Sequence, residues 1–311
     1  MKTVTAKLCS GISRSKAFEE KGLAQYAVNV GFKCGHACTY CSSDAMLRIQ
    51  LSKFGIKGSN KDCCVVDPDT PTRVAQDAKN KRKRGLIQLC TTVDAWAPEA
   101  QEYDLGRRCL EAILSEPGWK VRILTKNAAV AKDFDLIEKY RDRVLVGLSI
   151  TATPDKSHIV KITEPNASSI EERLETMKNA HNLGLRTYGM LCPLLPMIAD
   201  SPAQIDELVK YLVDCGVEEI FAEAVNPRGR GLMQTQQALE AASLYDSAKA
   251  IQNIRDRNAW SAYVVRLIKN MQQGVRKYYD IGKLRFLQYP SGLIPKDIDE
   301  IKKDDAGVIW L

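Results

Sequence analysis

The chain has 311 residues, of which 45% are hydrophobic and 27% charged, a composition that excludes disordered and collagen-like proteins and predicts a substantial core. Its net charge of +7 is compatible with an anionic partner such as nucleic acid or a nucleotide cofactor. No apolar run approaches the roughly 18 residues that span a bilayer, and the amino-terminal residues lack the apolar stretch of a secretory signal. We therefore expect a cytoplasmic protein with no membrane partner.

Short apolar runs alternate with amphipathic segments from about residue 25 to residue 225, which is the pattern of a βα repeat. The apolar runs are rich in the aliphatic residues of a buried parallel sheet. Such a repeat forms either an open doubly wound sheet or a barrel-like array, and periodicity does not separate the two. The predicted strands are 26–30, 86–90, 121–124, 144–150, 186–191 and 219–222, and the predicted helices include 105–114, 129–140, 169–183 and 203–215.

The element pattern divides the chain into three parts. Residues 1–24 form an amino-terminal segment, and residues 25–230 form the βα core. Residues 231–311 are predicted to be a mainly helical extension, because strand signals become rare after residue 231. Its helical patterns run from about 238 to 254 and from 260 to 279.

An insertion at residues 51–85 follows the first helix of the core and contains Cys63 and Cys64. With Cys9, these cysteines raise the alternative of an auxiliary cluster, although adjacent cysteines do not easily both bind one. The ten cysteines of the chain are more plausible as metal ligands, reactive thiols or buried small side chains than as disulfides, because the expected compartment is reducing. The three histidines share no ligand-like spacing, so we do not expect them to bind metal.

Several charged groups have two interpretations. The basic run at 79–84 could bind phosphates, but it ends a predicted helix, where cations complement the helix dipole without any partner. Arg228 and Arg230 follow the sixth predicted strand and are a second possible anion contact. Glu164 and Glu223 lie near predicted strand ends, where a carboxylate could contact ribose or substrate.

Three cysteines on one short loop give the strongest chemical signal. Cys34, Cys38 and Cys41 follow the first predicted strand and run into the first helix. Thiolates select zinc, copper(I) or an iron–sulfur cluster, and three of them can hold three irons of a cubane while the fourth iron stays open. A structural zinc site is normally completed by a second paired motif, and the sequence has no second C-x-x-C.

The spacing C-x-x-x-C-x-aromatic-C at the end of the first strand of a βα array resembles that of the radical S-adenosylmethionine (radical SAM) enzymes. The resemblance implies an α/β fold, a partial (β/α)6 TIM-like barrel with the helical extension at its carboxyl end. It also implies that Cys34, Cys38 and Cys41 bind a [4Fe-4S] cluster whose open iron chelates S-adenosylmethionine. Electron transfer from a reductant such as flavodoxin or ferredoxin then cleaves this cofactor to a 5′-deoxyadenosyl radical.

Four further segments resemble the branch of this family that contains spore photoproduct lyase, over roughly residues 25 to 230. Three of them end predicted strands, at the face where such barrels place their chemistry, so we expect them to converge on the cluster. The segments are Leu89-Cys90-Thr91-Thr92-Val93-Asp94, Ile123-Leu124-Thr125-Lys126-Asn127, Val146-Gly147-Leu148-Ser149-Ile150-Thr151 and Thr163-Glu164-Pro165-Asn166.

This closer resemblance implies the cofactor contacts. Thr91 and Thr92 lie where a small hydroxyl residue contacts the methionine amino group. Lys126 matches the lysine that contacts the carboxylate, Ser149 the serine beside the ribose, and Tyr40 the residue against the adenine. A fixed ammonium neutralises a carboxylate, and hydroxyls donate or accept as the ribose requires. The alternatives are a solvated charge at a strand end for Lys126 and a core tyrosine for Tyr40.

Cys90 and Tyr40 are the candidate catalytic residues. Cys90 matches a thiol that, in the lyase, donates a hydrogen atom to the product radical, while a structural buried cysteine is the alternative. The lyase has tyrosines on both sides of its third cluster ligand, which take part in a hydrogen-atom relay. In this sequence Tyr40 precedes Cys41 but Ser42 follows it, so we expect the relay to be altered.

The sequence therefore predicts a radical SAM enzyme that abstracts hydrogen from a substrate. Its nearest analogue is spore photoproduct lyase-like chemistry on a DNA lesion or a nucleotide. One alternative is radical modification of a metabolite or peptide. An alternative of another class is a non-enzymatic zinc or nucleic-acid binding module, with zinc on the three cysteines and the basic run as its contact surface. The long insertion and the helical extension predict a substrate different from that of the lyase, because loops and appended elements select the substrate on a shared barrel.

Overall fold

A computed structural model describes residues 1–311 except positions 9, 44–46, 49–51, 53–54, 57–62, 91 and 228. Three residues discussed above, Cys9, Thr91 and Arg228, therefore lie outside the described residues. Among the described helices, none is long and apolar enough to cross a membrane.

The described strands form two sheets. The larger has nine strands in the order β12-β11-β10-β9-β8-β7-β6-β3-β2, and every neighbouring pair is parallel except β2 with β3. The smaller has the order β1-β5-β4. The strands are β1 Lys2–Thr5, β2 Ser13–Arg14, β3 Tyr26–Val28, β4 Gly31–Phe32, β5 Cys63–Val66, β6 Gly85–Leu89, β7 Trp119–Thr125, β8 Val144–Leu148, β9 Arg186–Leu194, β10 Val217–Ala224, β11 Leu284–Gln288 and β12 Val308–Trp310.

Helices connect the parallel strands, and the two best-capped ones begin where the sequence predicts. The side chains of Ser169 and Ser201 each accept a hydrogen bond from the third backbone N–H of their helix. In return, the side chains of Glu172 and Gln204 accept a hydrogen bond from the backbone N–H of the cap residue, so N–H groups that would otherwise be unpaired are satisfied. The helices are α1 Lys16–Glu20, α2 Thr70–Ala78, α3 Pro98–Gln101, α4 Leu105–Leu114, α5 Phe134–Lys139, α6 Ser157–Thr163, α7 Ile170–Asn182, α8 Pro202–Asp214, α9 Gly231–Ala241, α10 Tyr245–Asn253, α11 Arg257–Tyr278 and α12 Pro295–Lys302.

The six predicted strands are confirmed as β3 and β6 to β10, which lie side by side as a partial (β/α)6 barrel. The structure adds two strands to the predicted helical extension, since β11 and β12 continue the same parallel sheet beyond β10. Both strands are short and come after the long helix α11, so the pattern of their apolar residues did not distinguish them from a further helix. The helix expected at 238–254 is divided into α9 and α10, with Ser243 between them in the left-handed region at φ 60°.

Alternation along the strands separates a lumen face from a face covered by helices. On β9, Tyr188, Met190 and Cys192 point to the lumen, where they pack with Phe221 of β10. On β7, Val121 and Ile123 belong instead to the main core with the surrounding helices. The carboxyl ends of all six strands therefore present alternate residues to one common space.

A buried arginine lies in the lumen below that space. Arg122 is 5% exposed, and its guanidinium lies between the rings of Tyr188 and Phe221, at 4.7 and 5.0 Å from their centroids. It also forms an ion pair of 2.6 Å with Glu219. Burial of a charge is costly unless it is paired, and the carboxylate and the two aromatic faces supply that pairing here.

Substituting Gly147 by alanine should destabilise the barrel by about 1–3 kcal/mol, the usual cost of overpacking a core. An added Cβ at this lumen-facing position would lie 2.3 Å from Cε1 of Tyr188. That ring cannot move easily, because it is fully buried and its hydroxyl donates to the carbonyl oxygen of Ile123 at 2.9 Å. Urea unfolding of both proteins measures the difference, and an unchanged midpoint would contradict this account of the lumen packing.

Candidate active site

A cavity of about 550 Å³ opens at the carboxyl ends of the barrel strands. This is the face where parallel barrels carry their chemistry, and the volume is that of an ordinary small-molecule site. The described residues predicted to bind the cluster or the cofactor, or to be catalytic, all line it: Cys34, Cys38, Tyr40, Cys41, Cys90, Thr92, Lys126 and Ser149. Glu164 and Arg230, two of the other candidate contacts, do not line it.

The loop with the three cysteines is fixed by contacts to its backbone. Lys33 and Ala37 have φ of 51° and 56°, in the left-handed region, so the loop turns sharply at both positions. The N–H of Gly35 donates to Glu99 Oε1 at 2.7 Å, and the Asn166 side chain donates to the Gly35 carbonyl oxygen at 2.8 Å. An added Cβ at Gly35 would lie 2.5 Å from Glu99 Oε2, so a larger residue there would displace the Glu99 carboxylate from its hydrogen bond to the loop.

The second half of the loop is held by the segment after α6 and by the carboxyl-terminal extension. The N–H of Thr39 donates to the carbonyl oxygen of Thr163 at 2.9 Å, and the hydroxyls of Thr39 and Thr235 are 2.9 Å apart. At Gly231, a Cβ would lie 2.7 Å from the carbonyl oxygen of Tyr40. Helix α9 therefore packs directly on the cysteine loop, and the extension is part of the site's support.

The three thiols face the cavity and are only half-buried. Burial raises the pKa of Cys34 and raises that of Cys38 to about 12, and for Cys38 the Glu164 charge adds to this effect. Such thiols stay protonated until a positively charged metal centre displaces the proton, because cysteine binds metal as the thiolate. Among the described residues, no three His, Cys, Asp or Glu side chains are grouped closely enough to hold a single metal ion.

Glu164 is the centre of the buried polar network behind the cysteines. Its carboxylate is 1% exposed and accepts hydrogen bonds from the Arg173 guanidinium, from the Tyr40 hydroxyl and, at 2.9 Å, from Thr151. Burial alone would raise the pKa of Glu164, but Arg173 and Lys126 outweigh burial and lower the pKa to about 2. The carboxylate is therefore a fixed negative charge that orients Tyr40 and Lys126.

Lys126 extends from the end of β7 into the cavity. Its Nζ donates to the carbonyl oxygen of Cys192 at 3.1 Å and lies 3.8 Å from Glu164 Oε1 and 5.9 Å from the centroid of the Tyr40 ring. Its backbone N–H donates to Asp94 Oδ2 at 2.8 Å, which fixes the strand end. The ammonium keeps donors available for an anionic ligand beside the three thiols.

Nothing in the sequence pattern marked Arg173 or Glu99, and Glu164, predicted as a contact to ribose or substrate, is instead bound by Arg173 and Tyr40. Arg173 is fully buried on α7 and donates to Glu164 and to the carbonyl oxygens of Ser168 and Ser149, at 2.8 and 3.0 Å for the two carbonyls. Arginine on a predicted helix is ordinarily exposed, so no signal in the pattern marked it. The Thr163-Glu164-Pro165-Asn166 segment was the available signal, because it lies at the carboxyl end of α6 and three of its residues contact the cysteine loop.

The basic run at 79–84 lies at the other end of the barrel. It directly precedes β6, whose carboxyl end is at the cavity, and Arg84 donates to the carbonyl oxygens of Ala78, Asn80 and Lys83. These carbonyls lie at and just after the carboxyl end of helix α2, which favours the interpretation as a helix-terminus contact.

A family model described as the radical SAM superfamily matches residues 28–212, more than half of the chain. The chain belongs to the radical SAM superfamily. It is therefore a radical SAM enzyme, and the family implies a [4Fe-4S] cluster and S-adenosylmethionine.

Curated relatives share the same region. Uncharacterized protein ORF301 of Acidianus two-tailed virus is 29% identical over 213 residues, which are 67% of this chain and 69% of that protein. Uncharacterized protein MJ0683 of Methanocaldococcus jannaschii is 29% identical over 57% of this chain and 63% of its own length. Uncharacterized protein Mb2609c of Mycobacterium bovis is 25% identical over 66% of this chain and 60% of its own length.

Solved structures of spore photoproduct lyase have the same fold as this radical SAM enzyme. A cysteine-to-serine mutant of that lyase superposes with a TM-score of 0.59 at 15% identity, covering 89% of this chain and 79% of the lyase. A double mutant with bound S-adenosylmethionine and dinucleoside spore photoproduct gives 0.59 at 13% identity, over 88% and 78% of the two chains. The partial-barrel fold is thus shared with the spore photoproduct lyase branch.

The residues present fit the implied groups. Three thiols on one clamped loop supply the sulfur donors that iron–sulfur clusters require. Beside them, the Lys126 ammonium and the Ser149 hydroxyl line the same cavity, where an amino-acid carboxylate and a ribose find complementary partners.

Proposed function

We propose that this enzyme holds a [4Fe-4S] cluster on Cys34, Cys38 and Cys41 and reductively cleaves S-adenosylmethionine at the barrel mouth. The cluster and S-adenosylmethionine together supply a 5′-deoxyadenosyl radical that abstracts hydrogen from the substrate. The observation that supports this proposal most strongly is the common cavity, which brings the predicted residues from the cysteine loop, β6, β7 and β8 to one space.

The other cavity residues take the cofactor contacts that the family resemblance implies, and their positions around the cavity support this assignment. Lys126, held against Glu164, binds the methionine carboxylate, and the Thr92 hydroxyl contacts the amino group. Ser149 binds the ribose, and the Tyr40 ring, whose hydroxyl is fixed by the Glu164 carboxylate, packs against the adenine. Because these side chains are held by hydrogen bonds or by burial, little ordering is needed when the cofactor binds.

For the substrate we propose a nucleotide or a nucleic-acid lesion, in the manner of spore photoproduct lyase, with an electron donor of the flavodoxin or ferredoxin type. The shared fold supports this choice. The basic run does not contribute to it, since that run lies at the opposite end of the barrel from the cavity. Turnover of a lesion-containing dinucleotide tests the proposal directly, and turnover of a peptide or metabolite instead would favour the other radical reactions.

Cleavage of S-adenosylmethionine should depend on the three cysteines. After anaerobic reconstitution with iron and sulfide, and reduction by dithionite, we expect the wild type to show the broad visible absorbance of an iron–sulfur cluster and to release 5′-deoxyadenosine. The Cys38→Ala variant should lose both, because two thiolates hold a cubane poorly. Chromatography of the product and the visible spectrum are the measurements.

A matched control is Cys215→Ala, since Cys215 is a buried cysteine of the same chain that does not line the cavity. It should keep both signals. A colourless protein that binds one zinc ion and yields no 5′-deoxyadenosine in any variant would contradict the proposal and support a zinc-binding module.

A further inference from the structure

Two cysteines other than the three proposed cluster ligands line the cavity, Cys90 and Cys192. Cys192 lies on β9 two residues after Met190 and four after Tyr188, so the alternation of the strand places it on the lumen face with both of them. It is half-buried and lines the cavity. Its carbonyl oxygen accepts the 3.1 Å hydrogen bond from Lys126, which puts the residue directly beside the proposed binding site of the methionine carboxylate.

The thiol of Cys90 faces another direction. Cys90 has a φ of 63°, so the chain turns at the end of β6 and the strand alternation no longer sets the direction of this side chain. Its sulfur lies against the backbone N–H groups of Val30 and Ala95 and near the thiol of Cys109, a fully buried residue of helix α4. Cys90 is 2% exposed and belongs to the main core between sheet and helices.

The Cys192 thiol has a specific partner. Its Sγ donates to Glu223 Oε2 at 3.6 Å, and Glu223 is the lumen-facing residue two positions after Phe221 on β10. Lys21, from the segment after α1, lines the same part of the cavity and interacts with Glu223. Burial raises the pKa of Cys192 and of Glu223, so the sulfur carries its hydrogen.

A buried amide oxygen lies in the same lumen. Gln88, one residue before the end of β6, is 2% exposed and lines the cavity. Its amide nitrogen contacts the Tyr188 hydroxyl, which can accept from it while donating to the carbonyl oxygen of Ile123, but Oε1 of Gln88 has no hydrogen-bond partner among the described residues. Buried polar atoms are nearly always paired, so this oxygen offers an acceptor to a donor group of a ligand.

We propose that Cys192, rather than Cys90, donates the hydrogen atom that quenches the carbon radical left on the substrate. This inference rests on the proposed function, since S-adenosylmethionine cleavage must first generate the radical. The thiol is the one cavity-facing S–H among the described residues that is neither a proposed cluster ligand nor enclosed by backbone. It shares the lumen with the unpaired Oε1 of Gln88, an acceptor open to a substrate.

The step balances in two stages. The S–H bond of Cys192 breaks homolytically, a C–H bond forms on the substrate carbon, and the unpaired electron remains on Sγ. One electron from the same class of reductant that supplies the cluster, a flavodoxin or ferredoxin or dithionite in vitro, then gives the thiolate. A proton from solvent then restores the thiol, and Glu223, whose Oε2 lies 3.6 Å from Sγ, is placed to pass that proton on.

The test uses reconstituted enzyme with S-adenosylmethionine alone, reduced by dithionite in D2O, where thiols carry deuterium. The 5′-deoxyadenosine of the wild type should contain one solvent-derived deuterium by mass spectrometry, because the radical takes it from the nearest S–D. In Cys192→Ser the label should fall to the natural isotopic background. Serine keeps a hydrogen bond to Glu223, but its O–H bond is too strong to donate a hydrogen atom. Cys215→Ser, away from the cavity, should label like the wild type.

Loss of label in Cys90→Ser together with full label in Cys192→Ser would overturn the inference and assign the donor to Cys90. Formation of no 5′-deoxyadenosine in any variant would instead overturn the proposed function on which the inference rests. A second readout needs no turnover: the infrared difference between wild type and Cys192→Ser should contain an S–H stretching band that shifts in Glu223→Gln. Absence of that band at neutral pH would show a thiolate without a hydrogen to donate, and would also overturn the inference.

Discussion

Replacing Arg173 with methionine should destabilise the protein by about 3–5 kcal/mol, the usual cost of removing one partner of a buried ion pair. Arg173 and Glu164 are both essentially inaccessible to solvent, so the carboxylate that loses the guanidinium cannot be rehydrated. The carbonyl oxygens of Ser168 and Ser149 lose their donors as well. Urea unfolding, followed by circular dichroism, measures the free energy of unfolding.

Two comparisons isolate the buried charge as the cause. The double variant Arg173→Met with Glu164→Gln should recover part of the lost stability, since it removes the uncompensated charge, and a double-mutant cycle gives the interaction energy. Arg141→Met removes an ion pair with Glu138 whose two side chains are about half exposed, and should change the stability by no more than about 1 kcal/mol. If Arg173→Met and Arg141→Met cost the same, the network around Glu164 does not stabilise the fold.

The sequence predicted the parts of this molecule that depend on local patterns. Apolar runs alternating with amphipathic segments identified β3 and β6 to β10, and Lys126 was correctly placed at a strand end facing the cavity. The cysteine spacing is likewise local, because the three cysteines lie within eight residues of one loop. Such features need no knowledge of which distant segments meet.

The missed parts depend on contacts between distant segments. Glu164 meets Tyr40 across 124 positions of the chain, and Glu99 reaches Gly35 across 64. The direction of the Cys90 thiol depends on a single left-handed φ, which the sequence does not specify for cysteine. A resemblance transfers a residue to its place along the chain, but the backbone there decides where its side chain points.

Replacing Lys126 with methionine should weaken binding of S-adenosylmethionine about 10- to 100-fold, the equivalent of one hydrogen bond to a charged group. The proposed partner is the methionine carboxylate, whose charge would face Glu164 without the intervening ammonium. Methionine is similar in length and keeps the packing against Tyr40, so the loss reports the charge. Isothermal titration of the reconstituted enzyme with S-adenosylmethionine measures the dissociation constant.

Lys120 is the matched control, because it is an exposed lysine near the opposite end of the same strand, β7. Lys120→Met should bind S-adenosylmethionine like the wild type. The two roles open to Lys126 give different results: a lysine that only neutralises Glu164 would lower the stability when replaced and leave the dissociation constant unchanged. A Lys126→Met variant that binds S-adenosylmethionine normally would therefore remove this residue from the cofactor site, while leaving the cluster cysteines in place.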